Sequence, residues 1–125
     1  MRILIIDDEQ MIRALAEKIL SRAGHEVLLA QSGFEGIELF DQQPEQIDMV
    51  IVDYVMEGMS GEETLRHLRR KAPDLPCLMS SGHSETATQL PSDLQHKVDF
   101  LQKPYRANDL VSKIETMTNS YSRQQ

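Results

Sequence analysis

Apolar residues gather in five short runs, at 3–6, 27–30, 49–52, 77–79 and 98–101, and the segments between them carry apolar positions at helical spacing. Runs this short suit strands buried on both faces, and the longer segments suit amphipathic helices. In the first such segment Ile12, Leu15, Ile19 and Ala23 make one apolar face, and Gly24 stands where a left-handed cap is wanted. Phe34, Ile37 and Phe40 mark a second helix, Leu65, Leu68 and Ala72 a third, and Leu110, Ile114, Met117 and Tyr121 the last. Between Ser84 and Lys97 the apolar spacing is poor and Pro91 interrupts it, so a short helix followed by irregular chain is expected there.

Strands that alternate with helices predict a parallel sheet, because parallel neighbours need crossover connections and right-handed crossovers dominate. The expected fold class is a doubly wound α/β sheet of five strands with helices on both faces. At 125 residues and 40% hydrophobic content, the chain can bury one proper core and is too short for two ordinary domains. Residues 1–119 are expected to form that domain and 120–125 a polar tail, with fraying from about Asn119.

Charge and composition narrow the function. Twenty acidic against thirteen basic side chains leave a formal charge of -7, which repels a phosphate backbone, so no direct nucleic-acid binding is expected. The basic run Arg69-Arg70-Lys71 falls where the third helix should end, and cations there complement the helix dipole. No apolar stretch approaches bilayer length, and the first apolar run begins straight after Arg2, so a soluble cytoplasmic protein without a signal peptide or membrane contact is expected. Cys77, the lone cysteine, lies inside an apolar run and reads as a buried, inert thiol. His25, His67 and His96 lack ligand spacing and read as surface residues, while His83 stands two residues past Ser81, near the strand ends.

In open α/β sheets ligands bind beyond the carboxyl ends of the strands, near the point where the strand order reverses. Strand 1 ends in Asp7-Asp8-Glu9, strand 3 in Asp53 and strand 4 in Ser80-Ser81-Gly82, and strand 5 runs into Lys103-Pro104. Carboxylates gathered at one sheet edge repel one another unless a cation offsets them, and all-oxygen ligands select a hard ion such as Mg2+ or Mn2+. A carboxylate attacks phosphorus well when a divalent ion and an ammonium group screen the phosphoryl oxygens. Asp53 suits the nucleophile, Asp7 and Asp8 the metal, Lys103 the ammonium and Ser81 a hydroxyl near the phosphoryl group.

Asp7-Asp8 after strand 1, Asp53 with Met56, Met59 and Gly61, Ser81-Gly82 and Lys103-Pro104 together resemble the bacterial response-regulator receiver family, over nearly the whole chain. The resemblance implies a flavodoxin-like strand order of 2-1-3-4-5. It implies that Asp53 accepts a phosphoryl group from a sensor histidine kinase or histidine phosphotransfer protein. Asp8, Asp53 and the Val55 backbone carbonyl would bind the metal directly, and Asp7 through water. Lys103 would pair with the phosphoryl group, preceding a cis Lys103-Pro104 bond. Ser81 and Phe100 would form the switch pair that reports phosphorylation to a downstream protein, with no output domain in this chain. By the same resemblance, Val55 and His83 would occupy the positions that modulate the phosphorylated lifetime. The family usually has proline after Met56, where this chain has Glu57. A haloacid dehalogenase-type phosphatase would need a second aspartate where Val55 stands, and a flavin carrier would not place acids in its phosphate loop.

Overall fold

The computed structural model describes residues 1–82 and 90–122, and of residues 121 and 122 the backbone alone. Five strands, β1 (Arg2–Ile6), β2 (Glu26–Ala30), β3 (Met49–Asp53), β4 (Cys77–Ser81) and β5 (Val98–Gln102), form one parallel sheet in the order β2-β1-β3-β4-β5. Helices α1 (Gln10–Arg22), α2 (Gly33–Gln42) and α3 (Gly61–Lys71) follow β1, β2 and β3, and α4 (Ala107–Ser122) follows β5. Successive side chains of a strand point to opposite faces. Ile3, Ile5, Met49, Ile51 and Leu78 pack with α1 and α4, whereas Leu4, Ile6, Val50, Val52, Cys77 and Met79 pack with α2 and α3. The central strands β1, β3 and β4 are buried on both sides and so carry apolar runs without alternation, whereas the edge strands β2 and β5 are only partly buried.

The helix starts are specified locally. Ser32 accepts from the Glu35 amide at 3.1 Å to begin α2. Ser60 and Glu63 form a reciprocal capping box at the start of α3. Gly24, at φ +92°, takes the left-handed position after α1 as the sequence predicts.

Several expectations need correction. The buried face of α1 is Ala16, Ile19 and Leu20, with Ile12 partly buried, while Leu15 is 40% exposed and Ala23 lies outside the core. Both stripes have helical spacing and share Ile12 and Ile19. Alanine at 16 lets the helix approach the sheet more closely than a leucine would, so the sheet selects that side. Phe34 is 62% exposed, because the inward face of α2 carries Gly33, Gly36 and Phe40. Helix α4 continues to Ser122, past the point where fraying was expected. Of the interrupted segment, the described part holds a 3-10 turn (Ser92–Leu94) that buries Leu94.

The basic end of α3 is less solvated than its composition suggests, since Arg69 donates to the Leu75 and His96 carbonyls and Lys71 pairs with Asp41. His25 is half-buried, its Nδ1 3.1 Å from the terminal ammonium of Met1. His67 and His96 are exposed, the latter 2.8 Å from Asp74. Cys77 is buried, and burial pushes its thiol up to about 12.

Candidate phosphoacceptor site

Strand register assembles the site. Ile6 of β1 pairs with Val52 of β3, so the next residues, Asp7 and Asp53, stand side by side. Asp53 pairs with Ser80, and Ser81 with Gln102, so Lys103 leaves β5 at the same edge of the sheet. The Lys103 amide donates to the Ser81 carbonyl at 2.7 Å, which ties β5 to the end of β4, and the following Lys103-Pro104 bond is cis. From there the side chain reaches across β4 and β3. Its Nζ lies 2.7 Å from Asp7 Oδ2 and 3.2 Å from Asp53 Oδ2.

Asp7 and Asp53 are both buried, and the Lys103 side chain is 10% exposed. Burial, then the charge of neighbouring Asp7, raises the Asp53 carboxyl to about 6, although Lys103 and the Val55 amide pull it down. Burial opposes the charge on Lys103, but the hydrogen bond and charge of Asp7, with those of Asp53, together hold the ammonium above its ordinary range. Burial, then the charge of Asp7, raises the Tyr105 phenol to about 12, which places that side chain within the field of the same acids.

The acids after β1 do not cap α1 with their side chains. Glu9 is the N-cap residue and makes no side-chain cap bond, while Asp7 Oδ1 accepts from the Glu9 amide at 2.9 Å. Arg13 donates to the Asp7 carbonyl at 2.7 Å and closes the turn. Asp7 is therefore held by Lys103 on one side and the turn on the other. Asp8 is exposed and accepts a 3.4 Å hydrogen bond from the Glu57 amide. Asp53 Oδ1 accepts from the Val55 amide at 3.4 Å.

Carboxylate oxygens of Asp7, Asp8, Glu9 and Asp53 all lie within 4.8 Å of one another. The Lys103 ammonium pairs with three of these four carboxylates, so the cluster carries excess negative charge in a partly buried place, and its oxygens suit a hard divalent ion. Glu9 belongs to this cluster although the sequence assigned it no role; its place directly after Asp8 was the available signal. Val55, 65% exposed, lines an open cleft of about 420 Å³ with Glu9, Asp53, Gly82, Lys103 and Pro104.

The floor of the site needs a glycine at 61. A Cβ there would overlap the Asp53 carbonyl oxygen and stand 2.7 Å from the Tyr54 Cα. The Gly61 amide donates to the Tyr54 carbonyl at 2.9 Å, so α3 begins against the backbone that carries Asp53. Ser81 is buried at the end of β4. Phe100 is half-buried on the α2 and α3 side of the sheet and pairs with Met79. His83 lies outside the described residues.

The family model for the response regulator receiver domain matches residues 3–115. The uncharacterized transcriptional regulatory protein YrkP of Bacillus subtilis is 33% identical over 121 residues, covering 97% of this chain and 51% of that protein. The sensor kinase CckA of Brucella abortus is 33% identical over 117 residues, covering 92% of this chain and 12% of the kinase. The chain thus spans about half the length of the first relative and a small fraction of the second. A solved response regulator receiver domain protein from Clostridium thermocellum superposes with a TM-score of 0.87 at 31% identity, covering 99% of this chain and 98% of that one.

Proposed function

The chain belongs to the response regulator receiver domain family, and on that premise we propose that Asp53 is its phosphoacceptor in a two-component phosphorelay. The observation that carries this reading is the Lys103 ammonium, 2.7 Å and 3.2 Å from two buried carboxylates that end neighbouring strands. A carboxylate with its pKa raised to about 6 is still mostly ionised at neutral pH and is less solvated than one in water. A carboxylate oxygen of Asp53 attacks the phosphorus of a phosphohistidine, supplied by a sensor histidine kinase or histidine phosphotransfer protein. The P–N bond breaks as the O–P bond forms, and the departing imidazole keeps the electron pair and takes a proton from solvent. Lys103 offsets charge on the phosphoryl oxygens.

Mg2+, or Mn2+ in its place, would screen the attacking carboxylate and the phosphoryl oxygens. In this proposal Asp8, Asp53 and the Val55 carbonyl hold the ion, and Asp7 acts through water. The commitment of Asp7 to Lys103 and the Glu9 amide supports its indirect part, and the exposure of Asp8 supports its direct one. Ser81 and Phe100 would transmit the change. Ser81 shares its backbone with the Lys103 anchor, and Phe100 lies on the adjoining strand two residues before the Ser81 partner Gln102. Val55 and His83 are proposed to modulate the phosphorylated lifetime.

The chain would act as a signalling phosphoacceptor that catalyses its own phosphorylation and dephosphorylation, in the cytoplasm and through a downstream protein. Its net charge of -7 speaks against direct nucleic-acid binding, and among the described residues no helix is long and apolar enough to cross a membrane. Mass spectrometry after incubation with acetyl phosphate and Mg2+ tests the core of the proposal. Wild type should gain one base-labile phosphoryl group, lost when Mg2+ is chelated, and Asp53→Asn should gain none. Labelling that persists unchanged in Asp53→Asn refutes it.

A further inference from the structure

Lys103 is held by three carboxylates, and the third has no part in the scheme above. Glu9 Oε1 lies 3.5 Å from Lys103 Nζ, against 2.7 Å for Asp7 and 3.2 Å for Asp53. The backbone of Glu9 is fixed, because its amide is bound by Asp7 Oδ1. Its side chain forms no helix-cap bond and is 61% exposed. Its charge is therefore directed at the ammonium rather than at the start of α1.

We propose that Glu9 is a positioning residue for Lys103, which holds the ammonium back before phosphorylation and releases it to the incoming phosphoryl group. A phosphoryl oxygen must compete with the carboxylates already on Lys103. Asp7 is buried and close, so removing it from the ammonium would strand a charge out of water. Glu9 is the farthest of the three, at 3.5 Å, and solvent-facing, and water replaces its partner at small cost. It is the carboxylate that can give way. The same negative charge attracts a divalent cation, so Glu9 should favour metal uptake, while its hold on the ammonium slows phosphoryl acceptance.

Glu9→Gln and Glu9→Asp separate charge from position. By Coulomb's law at a few ångströms near the surface, Glu9→Gln should weaken Mg2+ binding by about three- to tenfold, read by calorimetry on unphosphorylated protein. At saturating Mg2+ its phosphorylation rate with acetyl phosphate should rise by about two- to fivefold. Glu9→Asp keeps the charge but shortens the reach to Lys103 by one methylene. It should bind Mg2+ about as well as wild type yet share the faster saturated rate.

This inference rests on Asp53 being the phosphoacceptor, but the two fail differently. Wild type that binds Mg2+ and takes up no phosphoryl group refutes the phosphoacceptor reading. Wild type that is phosphorylated while Glu9→Gln reacts at an equal or lower saturated rate overturns the role of Glu9. So does Glu9→Asp with the wild-type rate, because the effect would then belong to charge alone.

Discussion

Replacing Asp53 by asparagine should make the metal-free protein more stable, although it removes the residue on which the proposed chemistry depends. Folding raises the Asp53 carboxyl from 3.8 to about 6, first through burial and then through the charge of Asp7. A raised carboxyl means that protonation favours the fold. This contribution is full below about pH 3.8, is lost progressively as the pH rises, and is gone above about pH 6. At about 1.4 kcal/mol per pKa unit, ionised Asp53 therefore costs the fold roughly 3 kcal/mol at pH 7.5. Asparagine has nearly the same shape and no charge. In EDTA at pH 7.5, urea denaturation should find Asp53→Asn about 1–3 kcal/mol more stable than wild type, the lower figure allowing for a weakened Lys103 contact. At pH 5, with wild-type Asp53 mostly protonated in the fold and ionised in the unfolded chain, the difference should shrink to roughly half. Saturating Mg2+ should narrow it too, since a ligand of the native state stabilises wild type. A variant no more stable than wild type in EDTA at pH 7.5, or a difference that does not shrink at pH 5, refutes this account of the site's electrostatics.

Lys103→Ala removes the cation and leaves the Asp7 and Asp53 carboxylates facing each other, so it should retain Mg2+ binding by calorimetry while its phosphorylation rate at saturating Mg2+ falls about tenfold or more. Metal affinity lost with the rate would place Lys103 in the metal site instead. Gly61→Ala forces a methyl group into the Asp53 carbonyl and the Tyr54 backbone, and should cost about 2–4 kcal/mol in thermal or urea unfolding. Equal stability would mean that α3 can shift without strain. The Cys77 thiol, buried and raised to about 12, should be silent to a thiol reagent in native protein at pH 8 and react on adding denaturant. Rapid labelling of the native protein would contradict its burial.

Local information determined much of this molecule. The central strands announce themselves as apolar runs, because strands covered on both faces have no solvent side to mark with polar residues, whereas the edge strand β5 is only partly buried and carries Asp99. The first one or two residues after each run belong to the sheet edge whatever the rest of the chain does. Asp7, Asp53, Ser81 and Lys103 could therefore be assigned to one edge from order alone, and Gly24 and Ser60 fill their cap positions for reasons within a turn of each helix. What the sequence left open depends on residues far apart in the chain. Leu15 and Ala16 offer α1 two apolar stripes one residue apart, and only contact with the sheet buries Ala16 and leaves Leu15 outside. Phe34 is no less apolar than Phe40, yet α2 turns Phe40 inward and Phe34 outward. The pairing of Ile6 with Val52 brings Asp7 beside Asp53, and the reach of Lys103 across two strands sets the three carboxylates on its ammonium. Residue types could propose a charged cluster, but distance and burial made Asp7 a fixed partner of Lys103 and Glu9 a loose one, because the strength of an ion pair depends on how much water its surroundings exclude.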